Sequence, residues 1–201
     1  MIFSINNQNP QMRLVRKVVD LLEGGGIIIY PTDTVYGLGC DLFNKKAIEK
    51  IYDIKRRDRK QPFSFVCSDL SDISKYAVVP NYAYKIMKHL LPGPYTFILG
   101  ASRMVPKILL PRRQEVGIRI PDNLICLTLV KEFGRPIIST SVKSSTGEIM
   151  TDPEEMALEF KNSVDCVIDG GVVGNELSSV VSLAGESPQV IRAAKGDVSF
   201  F

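Results

Sequence analysis

Apolar residues recur along this chain at two periods, and the changes from one to the other mark alternating helices and strands. Leu14, Val15, Val18, Val19 and Leu22 fall three and four residues apart, so they share one side of a helix. Asn9-Pro10 predicts its start, with Asn as the N-cap and Pro at the first helical position. Gly24-Gly25-Gly26 predicts its end, because glycine takes the left-handed cap conformation without steric cost. A short apolar strand follows, Ile27 to Tyr30. A second helix begins at Asn44 and turns Ala47, Ile48, Ile51 and Ile54 inward.

Pro62 to Val66 and Tyr95 to Leu99 read as strands on either side of a helix, Tyr82 to Leu91. Val116 to Ile120 is a strand closed by Pro121, and Asp122 to Phe133 is helical up to Gly134 and leads into the strand Pro136 to Thr140. Asp152-Pro153-Glu154-Glu155 combines an N-cap, a helix-starting proline and a capping-box Glu, which predicts a helix to about Lys161. Val164 to Ile168, Ser179 to Leu183 and Gln189 to Arg192 complete a strand-rich end. Several connections are too short for crossovers and fit antiparallel pairing. The expected fold is therefore α/β: a single domain over residues 1–201, with a twisted mixed β-sheet and outer helices.

Composition narrows the class. Apolar residues are 45% and charged residues 23% of the 201, values suited to a globular chain with a sizeable core. No apolar run reaches the ~18 residues a membrane span needs. Met1-Ile2-Phe3-Ser4-Ile5-Asn6 shows no basic stretch followed by an apolar one, so no signal peptide is expected. Cys40, Cys67, Cys126 and Cys166 are far apart and form no metal-type spacing. They read as reduced, buried thiols of a cytoplasmic protein. The one histidine, His89, sits near the end of an amphipathic helix, which excludes a Ser-His-Asp triad or a histidine-rich zinc site. Chemistry here must rest on cations, hydroxyls, backbone amides and carboxylates. The net charge of +3 is too small to imply nucleic-acid binding by itself.

Four segments can carry such chemistry. In Tyr30-Pro31-Thr32-Asp33-Thr34-Val35-Tyr36-Gly37-Leu38-Gly39, a strand ends and two hydroxyls and a carboxylate cluster before the next begins. They can satisfy a turn, or form a polar lip for a small ligand. Lys55-Arg56-Arg57-Asp58-Arg59-Lys60 puts five cations between a helix and a strand. They can complement the helix dipole or hold a polyphosphate, for which Arg57 supplies a planar fork and Lys55 a point charge. Ser139-Thr140-Ser141-Val142-Lys143 brings hydroxyls and a cation to a strand end, where they can cap a turn or hold phosphate oxygens. Arg119 interrupts an apolar strand, where burial is costly unless a carboxylate or phosphate satisfies it, and Arg192 raises the same question. No P-loop or dinucleotide fingerprint is present.

Taken in order, these segments resemble the YrdC/YciO family from about Gly24 to Val198. The stretch Tyr30 to Gly39 is similar to the family signature, and Lys55-Arg56-Arg57 to its KxR motif. Pro92-Gly93-Pro94-Tyr95-Thr96 is similar to its PGPxT turn, and Gly117-Ile118-Arg119-Ile120-Pro121 to its GxRxP strand. Ser178-Ser179-Val180-Val181 and Ile191-Arg192 resemble its closing strands. Two departures point to the YciO branch. The SxN motif stands here as Ser141-Val142-Lys143, and no glycine follows Arg192 at two residues.

The resemblance implies a YrdC/RibB-like fold with a basic concave surface. It implies a nucleotidyltransferase that makes L-threonylcarbamoyladenylate from L-threonine, bicarbonate and ATP, releasing pyrophosphate, for the t6A modification of tRNA. It further implies that Thr34, Arg119, Ser139 and Ser179 contact threonine. Lys55, Arg57, Ser141 and Arg192 face ATP, with Lys143 as an added cation. Lys55, Arg57 and Ser141 are then the catalytic set, and Mg²⁺ is held by nucleotide and water with no protein-held metal. Two other readings stay open: a relative with altered chemistry on threonylcarbamoyl compounds, and a noncatalytic protein that binds double-stranded RNA or tRNA. Protein partners are unknown from the sequence.

Overall fold

The amphipathic period from Leu14 to Leu22 is realised as an α-helix, α1 (Met12–Glu23), with Val15, Val18, Val19 and Leu22 buried. The helix starts three residues after Asn9, the expected cap. Asn6 explains the delay, because its Oδ1 accepts from the amides of Gln8 and Asn9, both at 2.9 Å, and closes a bend there. At the other end Gly24 remains right-handed, and Gly25 takes the positive φ of 85°. The computed structural model describes residues 1–55, 63–110 and 114–201. Arg57 and the rest of the basic segment after Lys55 lie outside the described residues, as does Pro62.

The other helices follow their caps. Asn44 accepts from the Ala47 amide at 3.0 Å and opens α2 (Lys45–Lys55). Asn123 does the same for Cys126 in α5 (Leu124–Phe133), which ends on Gly134 at φ 74°. Asp152 accepts from Glu154 at 2.8 Å to open α6 (Pro153–Glu159), which stops short of Lys161. A helix expected over Tyr82 to Leu91 is α4 (Asn81–Leu90). The sequence pattern gave no sign of α3 (Leu70–Tyr76), capped by Asp69, because its two buried residues, Ile73 and Tyr76, are too few to define a period. No helix among the described residues is long and apolar enough to cross a membrane.

Eleven strands among the described residues form one mixed sheet. They are β1 (Ile2–Ser4), β2 (Ile28–Tyr30), β3 (Gly37–Asp41), β4 (Ser64–Val66), β5 (Ala77–Val78) and β6 (Tyr95–Ala101). β7 (Glu115–Arg119), β8 (Ile137–Ser141), β9 (Cys166–Asp169), β10 (Ser179–Ser182) and β11 (Gln189–Arg192) complete it. Their order across the sheet is β1-β9-β2-β3-β8-β4-β7-β6-β10-β11, with β5 on the side of β6. β1, β9 and β2 run parallel, whereas β2, β3, β8 and β4 alternate in direction.

Strand side chains alternate between faces, and here the two faces differ. Ile29, Leu38, Cys40, Ile138, Phe65, Ile118, Phe97, Leu99 and Val181 point to one side and pack with α2, α3, α4 and α6. Ile28, Tyr30, Val66, Ile137, Cys166 and Ile168 point to the other, under α1 and α5. Those two helices cover only part of that second face. The remainder, over β8, β4, β7, β6 and β10, carries no helix among the described residues. Its lining is glycine, hydroxyls and arginine, with Ile98 and Val180 toward β6 and β10.

Two glycines explain part of the signature stretch. The Tyr30 ring lies along β3, and a Cβ added at Gly37 would stand 2.8 Å from its Cζ. A Cβ at Gly39 would stand 2.3 Å from the Ile138 carbonyl oxygen and 3.2 Å from the Tyr30 ring. Both positions need hydrogen in place of a side chain for packing reasons, not for backbone conformation. Gly39→Ala should therefore lower stability by about 2–3 kcal/mol through overpacking. Gly147→Ala, with φ 92° and nothing within 4 Å of the added Cβ, should cost only about 1 kcal/mol in backbone strain. Urea midpoints at unchanged m-value measure both.

Candidate functional site

The open face is assembled by register. Gly39, Ser139, Ser64 and Gly117 lie side by side on β3, β8, β4 and β7, so their positions share that face. Arg119 pairs with Val66 one step along, on the same side. Gly117 keeps the floor low: an added Cβ would stand 3.1 Å from Thr96 Cγ2 and 3.2 Å from Ser64 Oγ. Neither Ser64 nor Thr96 stood out in the sequence as a candidate, since each is a single hydroxyl in an apolar strand.

Arg119 is the centre of this face. Its guanidinium is 91% buried at the side chain and pairs with Asp33, equally buried, at 2.9 Å. The carboxylate that a buried arginine requires is thus supplied by the Thr32-Asp33-Thr34 turn. The same Nη2 also donates to Thr34 Oγ1 at 2.9 Å. Thr32 Oγ1 donates to the Val35 carbonyl at 2.6 Å, so the contact between the two threonine hydroxyls, at 3.0 Å, must use the Thr34 proton. The hydroxyl of Thr34 is therefore engaged as both acceptor and donor, and it orients Arg119. Two buried atoms are left over: Arg119 Nε, a donor, and Asp33 Oδ2, an acceptor, have no partner among the described residues. Buried polar atoms are rarely left so.

Arg192 reaches the open face through a bulge. β10 and β11 pair Val181 with Val190 but Val180 with Arg192, so one residue is inserted and Arg192 turns to the side of Thr96 and Arg119. There its Nε and Nη2 donate to the Ser178 carbonyl at 3.1 and 2.7 Å, and Ser178 Oγ lies 2.8 Å from Thr96 Oγ1. Desolvation, then the nearby Arg119 charge, lower the pKa of Arg192. Two guanidiniums that repel one another across a partly buried surface favour an anion between them. Ser179 behaves differently from expectation. It pairs with Tyr95 on the opposite face, is fully buried, donates to the Gly196 carbonyl at 2.6 Å and accepts from the Ala194 amide at 2.9 Å. The neighbouring Ser178 is the hydroxyl brought to the open face.

The strand end of β8 gathers further cations. Lys55, the last residue of α2, donates its ammonium to the Ser141 carbonyl at 2.8 Å. Val142 turns into the core, and Lys143 beyond it is exposed, with no side-chain partner among the described residues. Lys195 donates to the Asp33 carbonyl from the C-terminal segment. Of the expected site residues, the structure brings Arg119, Asp33-linked Thr34, Ser139 and Arg192 to one face, and Lys55, Ser141 and Lys143 to one strand end.

His89 is exposed in the last turn of α4, far in kind from a catalytic imidazole. All four thiols are buried and free, and burial pushes Cys126 and Cys166 up to about 12, so neither is a thiolate at neutral pH. Among the described residues no group of three or more His, Cys, Asp or Glu side chains comes together as a metal cage.

Comparison with known proteins follows this geometry. The Sua5_yciO_yrdC family model, described as telomere recombination, matches residues 20–194. The uncharacterized protein YciO of Escherichia coli is 39% identical over 201 residues, covering 99% of this chain and 98% of that protein. The crystal structure of E. coli YciO superposes with a TM-score of 0.94 over 99% of this chain and 98% of that one. The threonylcarbamoyl-AMP synthase of Bacillus subtilis is 31% identical, covering 94% of this chain and 54% of that protein. The crystal structure of Pyrococcus abyssi Sua5 complexed with L-threonine is 27% identical, with a TM-score of 0.90, covering 96% of this chain and 57% of that one.

The ion pair makes a stability prediction. Asp33→Ala strands the Arg119 charge in a buried site and should cost about 3–5 kcal/mol. Glu132→Ala breaks the exposed pair with Arg16 and should cost under about 1 kcal/mol. Chemical denaturation of the two variants side by side measures the difference.

Proposed function

The chain belongs to the Sua5/YciO/YrdC family, which includes threonylcarbamoyl-AMP synthases, and on that premise we propose that it forms L-threonylcarbamoyladenylate. L-Threonine, bicarbonate and ATP are the substrates and pyrophosphate leaves. The observation that carries this reading is the pair of unmatched buried atoms, Arg119 Nε and Asp33 Oδ2. One is a donor fit for a carboxylate and the other an acceptor fit for an amine, and an α-amino acid offers both. The nucleotide then lies toward Arg192, Lys55, Ser141 and Lys143, with Arg57 assigned to its phosphates from the sequence alone.

The reaction needs little from the protein beyond placement. The amine of threonine attacks bicarbonate and water is lost, leaving a carbamate. A carbamate oxygen attacks the α-phosphorus, and the bond from that phosphorus to the α,β-bridging oxygen breaks with pyrophosphate as the leaving group. Held cations neutralise the charge that grows on the phosphate oxygens, and the two substrates are fixed side by side. Mg²⁺ enters with the nucleotide, coordinated by phosphate oxygens and water. The product is the donor for t6A formation on tRNA.

Pyrophosphate release that requires both threonine and bicarbonate is the expected result. Arg192→Ala should raise KM for ATP by about 10-fold or more, the effect of losing one charged hydrogen-bond partner, while KM for threonine stays unchanged. ATP left intact with all substrates present, alongside duplex-RNA retention that collapses with salt, would replace this reading with the RNA-binding one.

Lysine at position 143 can donate but cannot accept a hydrogen bond, unlike the asparagine of the SxN motif. Lys143→Asn should raise the turnover rate. An unchanged or lower rate in the same pyrophosphate assay removes Lys143 as the limiting feature.

A further inference from the structure

The hydroxyl of Ser139 is controlled by a residue that lies beneath the site surface. Tyr30 is fully buried, its ring rests over Gly37 and Gly39, and its phenol donates to Ser139 Oγ at 2.6 Å. The ring therefore crosses β3 to connect β2 with β8. Burial raises the pKa of the Tyr30 phenol far above its ordinary value, so its proton remains available to donate. A serine hydroxyl ordinarily rotates to act as donor or acceptor as its surroundings require. Here one lone pair of Ser139 already accepts from Tyr30, and that contact leaves the serine proton unused. Among the described residues no acceptor takes it. Its neighbours across the open face are Gly39, which has no side chain, and Ser64. Register sets Arg119 level with Val66 and Ile137, two residues along from the row of Ser64 and Ser139 and on the same face.

We propose that Tyr30 is a positioning residue that fills one acceptor site of Ser139 and presents its proton to the open face, so that this point favours an oxygen of the amino-acid substrate. The inference rests on the reading of the face as an amino-acid site. Ser139 and Arg119 then act as adjacent donors to the carboxylate or hydroxyl oxygens of threonine, and the amine is left to Asp33. The arrangement also assigns a role to the spacing of Tyr30, Gly37 and Gly39. The tyrosine sets the hydroxyl, and the two glycines clear its path.

The test is a double-mutant cycle on Tyr30→Phe and Ser139→Ala, read by calorimetry with L-threonine and by steady-state KM for both substrates. Tyr30→Phe keeps the ring and should weaken threonine about 5-fold, and Ser139→Ala about 10-fold, the range for one neutral hydrogen bond. The double variant should be no weaker than Ser139→Ala alone, because the phenol acts only through the serine. KM for ATP and the melting temperature of Tyr30→Phe should stay near wild type. Full threonine affinity in Tyr30→Phe, multiplied losses in the double variant, or equal rises in both KM values would each overturn the positioning role. Absence of threonine binding by the wild-type chain would instead overturn the amino-acid reading, and this inference with it.

Discussion

A guanidinium buried within an apolar strand is the constraint around which this site is organised. Arg119 cannot remain charged under the sheet surface without an acceptor, and the turn after β2 supplies one in Asp33. That requirement ties β7 to a loop 86 residues earlier in the chain. The two threonines of the turn then relay their hydroxyl protons toward the Val35 carbonyl, which leaves the acceptor side of Thr34 facing Arg119. The ion pair satisfies only part of each group. One buried donor, Arg119 Nε, and one buried acceptor, Asp33 Oδ2, remain unmatched among the described residues, which a fully satisfied structural salt bridge would not leave.

The same face shows why hydroxyls recur where the helices stop. Under α1 and α5 the sheet presents isoleucine, valine and cysteine, and burial there is driven by apolar area. Beyond those helices the same rows continue largely as Ser139, Ser64, Gly117, Thr96 and Arg119, with Ile98 beside Gly117. One continuous sheet thus carries both a packed apolar core and an open polar face. Glycines and short hydroxyl side chains keep that floor low, and Asp33 is the acidic partner of Arg119.

Much of the fold was legible in the chain. The helices carried periods and caps, as at Asn44 and Asp152, whose side chains accept from the first turn, whereas the helix expected from Asp122 starts at Leu124 with Asn123 as its cap. The mixed sheet followed from short connections. The misses have local causes. Asn6 diverted the start of α1, and α3 buries too few residues to register as periodic. In the site, Arg119 announced itself as a charge in an apolar strand, whereas Ser64 and Thr96 carried no such contrast with their neighbours. Ser178 and Ser179 are adjacent in sequence and chemically identical, and only pairing with β6 decides which of them faces the open side.

The sequence by itself determined most of the element types, the burial of the cysteines and the presence of a buried arginine in need of an anion. These are properties of local pattern and residue chemistry. The tertiary structure decided which carboxylate answers Arg119, that a one-residue bulge turns Arg192 onto the open face, and that Tyr30 reaches Ser139 over two glycines. Each of those outcomes depends on strand register between segments remote in the chain. A shift of one residue in register reverses the face of every side chain on a strand, and no local pattern carries that information.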